Sequence, residues 1–127
     1  MAERVMMMDC GDGIRRADNG SFGKGPVAKT ANYTLKPGES GTIFTNKGAG
    51  ATVTLTLPAP RAGLWYVFAV SAAQTFTIQA SGGAKINNSA ANGTFSAAGT
   101  QANIGNARVW CDGTNWLVMS GGSWTTT

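Results

Sequence analysis

From Ala51 to Leu57 the chain alternates strictly: Val53, Leu55 and Leu57 fall on one side, Thr52, Thr54 and Thr56 on the other. Only an extended strand repeats its side chains every second residue, so this segment is a strand with one buried and one wet face. Threonine suits the wet face, because its β-branch favours extended backbone while its hydroxyl stays solvated. Pro58-Ala59-Pro60 ends the strand, since proline has no N–H to give to a ladder. Similar signals recur along the chain. Asn32 to Leu35 is closed by the turn Lys36-Pro37-Gly38-Glu39, and Gly41 to Thr45 by Lys47-Gly48-Ala49-Gly50. Gln74 to Ala80 alternates with Phe76 and Ile78 inward. Ala107 to Cys111 and Trp116 to Met119 flank Asp112-Gly113-Thr114-Asn115 as a hairpin. Ala84 to Asn87 and Thr94 to Ser96 are weaker strand candidates.

One segment breaks the alternation. Leu64 to Val70 is a run of seven apolar residues, which predicts a strand covered on both faces. No stretch holds a helical period. About eight to ten short strands at roughly ten-residue spacing predict an all-β fold, an antiparallel β-sandwich or a jelly-roll-like barrel. Residues 1–30 read as an extended N-terminal arm, because Asp9 to Pro26 holds five glycines, three aspartates and two arginines without periodicity. Residues 31–120 form the sandwich domain, and 121–127, polar apart from Trp124, a flexible tail.

Charge narrows the function. From Ala62 to Thr127 the only charged side chains are Lys85, Arg108 and Asp112. So bare a surface suits contact with copies of itself or with a large partner. The net charge of +4 comes from ten basic residues that are scattered apart from Arg15-Arg16, whereas nucleic-acid modules cluster theirs. Neither nucleic acid nor a membrane is expected as a partner, since the longest apolar run is far short of the ~20 residues that span a bilayer. No apolar core continues Met6-Met7-Met8 through Asp9-Cys10-Gly11-Asp12, so no signal peptide is expected. Cys10 and Cys111 are then expected to be thiols rather than a bridge.

The chain has no histidine, which removes the commonest general base and zinc ligand. Asp9, Asp12 and Asp18 match no calcium-loop spacing. Glycines around Lys47 lack the order of a phosphate loop. Glu39 and Asp112, the only acids after Asp18, both sit in predicted turns, where carboxylates cap backbone N–H groups. The residues therefore predict a non-enzymatic module with no cofactor and no metal. Aromatic side chains are the remaining binding candidates. Trp65 is expected in the core. Trp110 and Trp116 are expected to pair across the hairpin, as core, interface or sugar-stacking aromatics, and Trp124 to be the best exposed platform.

The segments "ANYTLKPGESGTIFTN", "ATVTLTLPAPRAGLWYVFAV", "QTFTIQASGGAKI" and "VWCDGTNWLVM" together resemble small β-structural proteins of tailed-bacteriophage virions, notably capsid decoration (cement) proteins. The likeness runs from Tyr33 to Met119 and lies in strands and turns. It implies a structural protein on the capsid exterior, made in the host cytoplasm, that binds the major capsid protein as a homo-oligomer, often a trimer, and stabilises the shell. It further implies that the arm anchors the protein, through Val5, Met6, Met7, Met8, Arg15 and Arg16. A fibre or spike module that binds a host-surface glycan through Trp110, Trp116 or Trp124 is the alternative.

Overall fold

The computed structural model describes residues 25–127. The described residues form ten strands: β1 (Val27–Ala28), β2 (Tyr33–Thr34), β3 (Ile43–Thr45), β4 (Val53–Thr56), β5 (Trp65–Ala69), β6 (Phe76–Gln79), β7 (Thr94–Ala97), β8 (Asn106–Cys111), β9 (Trp116–Gly121) and β10 (Thr125–Thr126). They make two five-stranded sheets, β1-β3-β5-β8-β9 and β2-β4-β6-β7-β10. The all-β expectation holds as a two-sheet, sandwich-like fold, and neither sheet closes into a barrel.

The sheets are mixed rather than antiparallel. From β1 to β6 the chain alternates between the sheets, and each strand lies parallel to the one two positions earlier. Tyr33, Leu55 and Ile78 align across one sheet, and Val27, Phe44 and Phe68 across the other. The first half is thus a short coil in which every turn contributes one strand to each sheet. Its connections explain why. Residues 35–42, 46–52, 57–64 and 70–75 are too long for tight hairpins. A parallel neighbour needs a crossover of a dozen or more residues, and the strand of the opposite sheet lies within it. After β6 the chain doubles back: β7 pairs antiparallel with β6, β8 with β5, β9 with β8 and β10 with β7.

The core lies between the sheets. Val53 and Leu55 of β4, Phe76 and Ile78 of β6 and Phe95 of β7 meet Phe44, Tyr66, Phe68, Val109 and Trp116 from the other sheet. Phe68 meets Phe76 edge-on across the interface, centroids 6.1 Å apart at 81°, an arrangement that aromatic quadrupoles favour. Trp116 is tilted against Tyr66 at 6.1 Å.

Two edges are closed by side-chain amides. Asn87, in left-handed backbone (φ 50°), accepts from Val118 N through its Oδ1 at 3.0 Å, beyond the single bridge that joins Ile86 to Trp116. Segment 84–87, a strand candidate by sequence, is therefore an edge cover. Asn32 Oδ1 accepts from Thr54 N at 2.9 Å and extends the short edge strand β2 along β4. The last residues also differ from the expected loose tail. β10 pairs with β7, and Trp124 stacks on Phe95 with centroids 4.8 Å apart and planes 9° from parallel. A lone tryptophan among Ser and Thr gains by covering an apolar ring, and it draws the terminus onto the sheet.

Candidate functional site

Each sheet has an outer face, and the two are chemically opposite. On the β2-β4-β6-β7-β10 sheet, Thr54, Thr56, Thr77, Gln79, Thr94 and Ser96 point outward, with Thr77 and Ser96 hydrogen-bonded through their hydroxyls at 2.8 Å. That face is finished by water. On the other sheet, alternation along β5 turns Tyr66 and Phe68 inward and Trp65, Val67 and Ala69 outward. Register then assembles two cross-strand rows. One joins Trp65, Trp110 and Leu117; the other joins Ile43, Val67, Arg108 and Met119. Ile43 and Trp65 are each 39% exposed, Leu117 59% and Met119 62%. Large apolar side chains scattered singly on a surface are ordinary, but a contiguous patch marks a contact site.

Leu64 to Val70 is thus not covered on both faces, and Trp65 is not core. Its ring lies against Gly41, whose φ of 87° keeps it glycine and whose N–H donates to Trp65 O at 2.7 Å. Arg108 is the one charged residue in these two rows. Its guanidinium sits 5.5 Å from the centroid of the Trp110 ring, within cation–π range. Beside them is an open hollow of about 340 Å³ lined by Asn106, Arg108, Trp110, Met119, Ser120 and Gly121.

Of the aromatics singled out from sequence, Trp65 and Trp110 lie on this face; of the three expected to bind, Trp110 alone does. Trp116 is 1% exposed and belongs to the core. The two do not pair: Trp110 stands opposite Leu117, while Trp116 stands opposite Cys111 on the inner face. Trp124 is half-buried on Phe95, and its Nε1 donates to Gly121 O at 3.0 Å. Val5, Met6, Met7, Met8, Arg15 and Arg16 lie outside the described residues, as do Cys10 and the three N-terminal aspartates. Cys111 is buried.

Both acids of the described chain serve turns. Glu39 accepts from Lys36 N through Oε1 and from Tyr33 OH through Oε2, each at 2.8 Å. That hydrogen bond, with burial and the nearby charge, raises the Tyr33 pKa. Asp112 Oδ1 accepts from Thr114 N and Asn115 N at 2.8 Å each. Bonds from Asn115 and Thr114 hold its pKa below the ordinary carboxylate value, because they stabilise the anion. Among the described residues no three His, Cys, Asp or Glu come together as a metal site.

Leu117, Met119, Ile43, Val67 and Arg108 were not singled out by sequence. The hairpin carried a usable signal. A loop of 112–115 sets Cys111 opposite Trp116, which puts Arg108 and Trp110 on one face with Leu117 and Met119. No family model matches the chain, and no curated protein matches it in sequence.

Proposed function

We propose that this protein is a non-enzymatic virion structural protein that decorates a phage capsid, binding the major capsid protein and associating with copies of itself. The observation that carries the reading is the contrast between the two outer faces: one sheet is dressed in Thr, Ser and Gln, the other in Ile43, Trp65, Leu117 and Met119. A β module with one dry outer face suits a structural contact better than solution chemistry. Both described carboxylates cap turns, which agrees with a structural role. In this reading residues 1–24, with Val5 to Met8 and the Arg15-Arg16 pair, supply the capsid anchor. Strand addition to a capsid-protein sheet edge is the mode open to an extended arm.

The test is deletion of residues 1–24, stopping short of β1, because Val27 and Ala28 pair with β3 and Lys29 N donates to Thr45 O. The truncated chain should keep its β circular-dichroism spectrum and its cooperative unfolding, yet fail to load onto capsids stripped of this protein. Full loading by the truncated chain would refute the anchor.

A second reading, a fibre or spike module that holds a host-surface glycan, draws on the hollow beside Trp110. There an aromatic ring, a guanidinium, the amide of Asn106 and the hydroxyl of Ser120 lie together. Saturable glycan binding that Trp110→Ala abolishes without unfolding would favour it over decoration.

A further inference from the structure

The apolar outer face carries one cation, Arg108 of β8, and the residue that follows β8 is an acid. Arg108 and Asp112 lie two residues to either side of Trp110. Alternation along β8 turns Asn106, Arg108 and Trp110 outward while Ala107, Val109 and Cys111 are buried, and the same alternation carried one residue past the strand makes exposed Asp112 the next outward position. Both Asp112 backbone bonds use Oδ1, and Oδ2 accepts no other bond among the described residues. Glu39, in contrast, has both oxygens engaged. Asp112 is therefore the described acid with an oxygen to spare, and it shares a face with Arg108.

We propose that this face is a self-association surface on which two copies pack face to face. The two-fold axis crosses the strands along the Trp65–Trp110–Leu117 row. With strands rising about 3.3 Å per residue, Arg108 and Asp112 stand about 6.6 Å on either side of that row. The axis exchanges them, so Arg108 of each copy meets Asp112 of the other, twice over. Trp65, Trp110 and Leu117 then meet their own equivalents at the usual sheet-to-sheet spacing of about 10 Å. An axis running along the strands would instead press Arg108 against Arg108, with no acid in the two rows to neutralise the pair, and like charges at a contact are costly. The charge pattern thus selects one of the two face-to-face arrangements.

Such a contact is isologous and closes with two copies. It makes a dimer, not the trimer that the resemblance implies. The rows draw on only four strands, β3, β5, β8 and β9, so association in the micromolar range is expected. The inference rests on the self-association in the proposed function and not on the capsid.

The experiment is sedimentation velocity on the full chain from micromolar to near-millimolar concentration, with circular dichroism on every variant. The intact protein should show a monomer–dimer equilibrium. Leu117→Glu and Arg108→Glu should each weaken it by about tenfold or more. Asp112→Asn keeps the Oδ1 acceptor for the turn but loses the charge, and should weaken it by a few-fold; rising salt should do the same. Gln79→Glu, on the polar outer face, should leave it unchanged. A chain that stays monomeric throughout, one that forms a closed trimer, or a dimer indifferent to both Leu117→Glu and Arg108→Glu would overturn the proposal. Capsid loading is assayed separately, so a failure of decoration is distinguishable from a failure of this contact.

Discussion

Asn46 offers the sharpest test of how the coil is held together. It follows β3 and is wholly buried, an unusual place for an amide unless its polar atoms are paired. Its Oδ1 accepts from Ser71 N at 2.7 Å and from Ala72 N at 2.9 Å. Its Nδ2 points at Ala72 O and Gln74 O at 3.4 and 3.3 Å. One amide thus stands in for a missing strand along the connection from β5 to β6, the turn where the chain passes between sheets. Asn46→Ala removes the acceptor and strands two half-buried N–H groups. At about 1–2 kcal/mol for each, the lower part of the range for orphaned donors, the loss is about 2–4 kcal/mol. The longer Nδ2 contacts add little. For a domain of this size the melting temperature should fall by about 10–25 °C. Urea unfolding followed by circular dichroism measures the free energy, and hydrogen exchange should show Ser71 and Ala72 losing protection first. Asn46→Asp separates the two halves of the amide. It keeps the acceptor but faces a carboxylate with the carbonyls of Ala72 and Gln74. With Ser71 N and Ala72 N still paired but two carbonyls now facing a carboxylate, this variant should be less stable than the parent at neutral pH. A loss below about 0.5 kcal/mol for Asn46→Ala would refute the clamp, since surface changes without consequence fall in that range.

Three further outcomes follow from buried or capping groups. Trp116 Nε1 is buried with no partner among the described residues, so Trp116→Phe, which deletes that donor, should stay within about 1 kcal/mol of the parent in urea melts while Trp116→Ala loses about 3–5 kcal/mol. Tyr66 donates to Lys36 O at 2.7 Å, and burial, reinforced by the Glu39 charge, pushes its pKa up to about 12. Its raised folded value means that stability is complete below pH 10 and drains away between pH 10 and about 12, by about 1 kcal/mol per pH unit after allowance for solvent screening; alkaline unfolding curves should lose that slope in Tyr66→Phe. Asp112 has the opposite sign, its folded pKa being depressed, so its contribution is present above the ordinary carboxylate value and fades as pH falls through the folded one; the Thr114 and Asn115 amide resonances should shift together in an acid titration, and in Asp112→Asn they should not titrate.

The local pattern was legible where one face of a strand was wet. Val53, Leu55 and Leu57 declared themselves because Thr54 and Thr56 separate them, and Phe76 and Ile78 because Thr77 does. It misled where both faces were apolar. Trp65, Val67 and Ala69 look covered from the sequence, because a strand apolar on both sides ordinarily has layers on both; here the second layer is absent from the described chain. Parallel pairing was not legible at all. The ladder of Tyr33, Leu55 and Ile78 joins residues some twenty positions apart, and which strand lies beside which depends on the whole coil and not on any window of sequence. Trp124 was misread for a related reason: its partner Phe95 lies on a strand nearly thirty residues away.

The same topology explains why one face was left dry. In a two-sheet coil, each strand shows one side to the shared core and the other to the outside, so the outer composition of each sheet is free of the packing that fixes the inner one. Selection for solubility alone would dress both sheets alike. On the sheet where Thr77 and Ser96 bond across strands it has done so. On the other, the exposed positions of β8 and β9 alternate with buried Val109 and Val118, so polar residues at Leu117 and Met119 would cost the core nothing. Keeping Leu and Met there, opposite Trp110 and Arg108, gains nothing for the monomer in water. On the proposed self-association, substitution of Leu117 and Met119 by Thr should leave the monomer's unfolding free energy within about 0.5 kcal/mol while abolishing self-association in sedimentation. If the doubly substituted monomer instead unfolds readily, the face serves the fold, and the case for a partner fails with it.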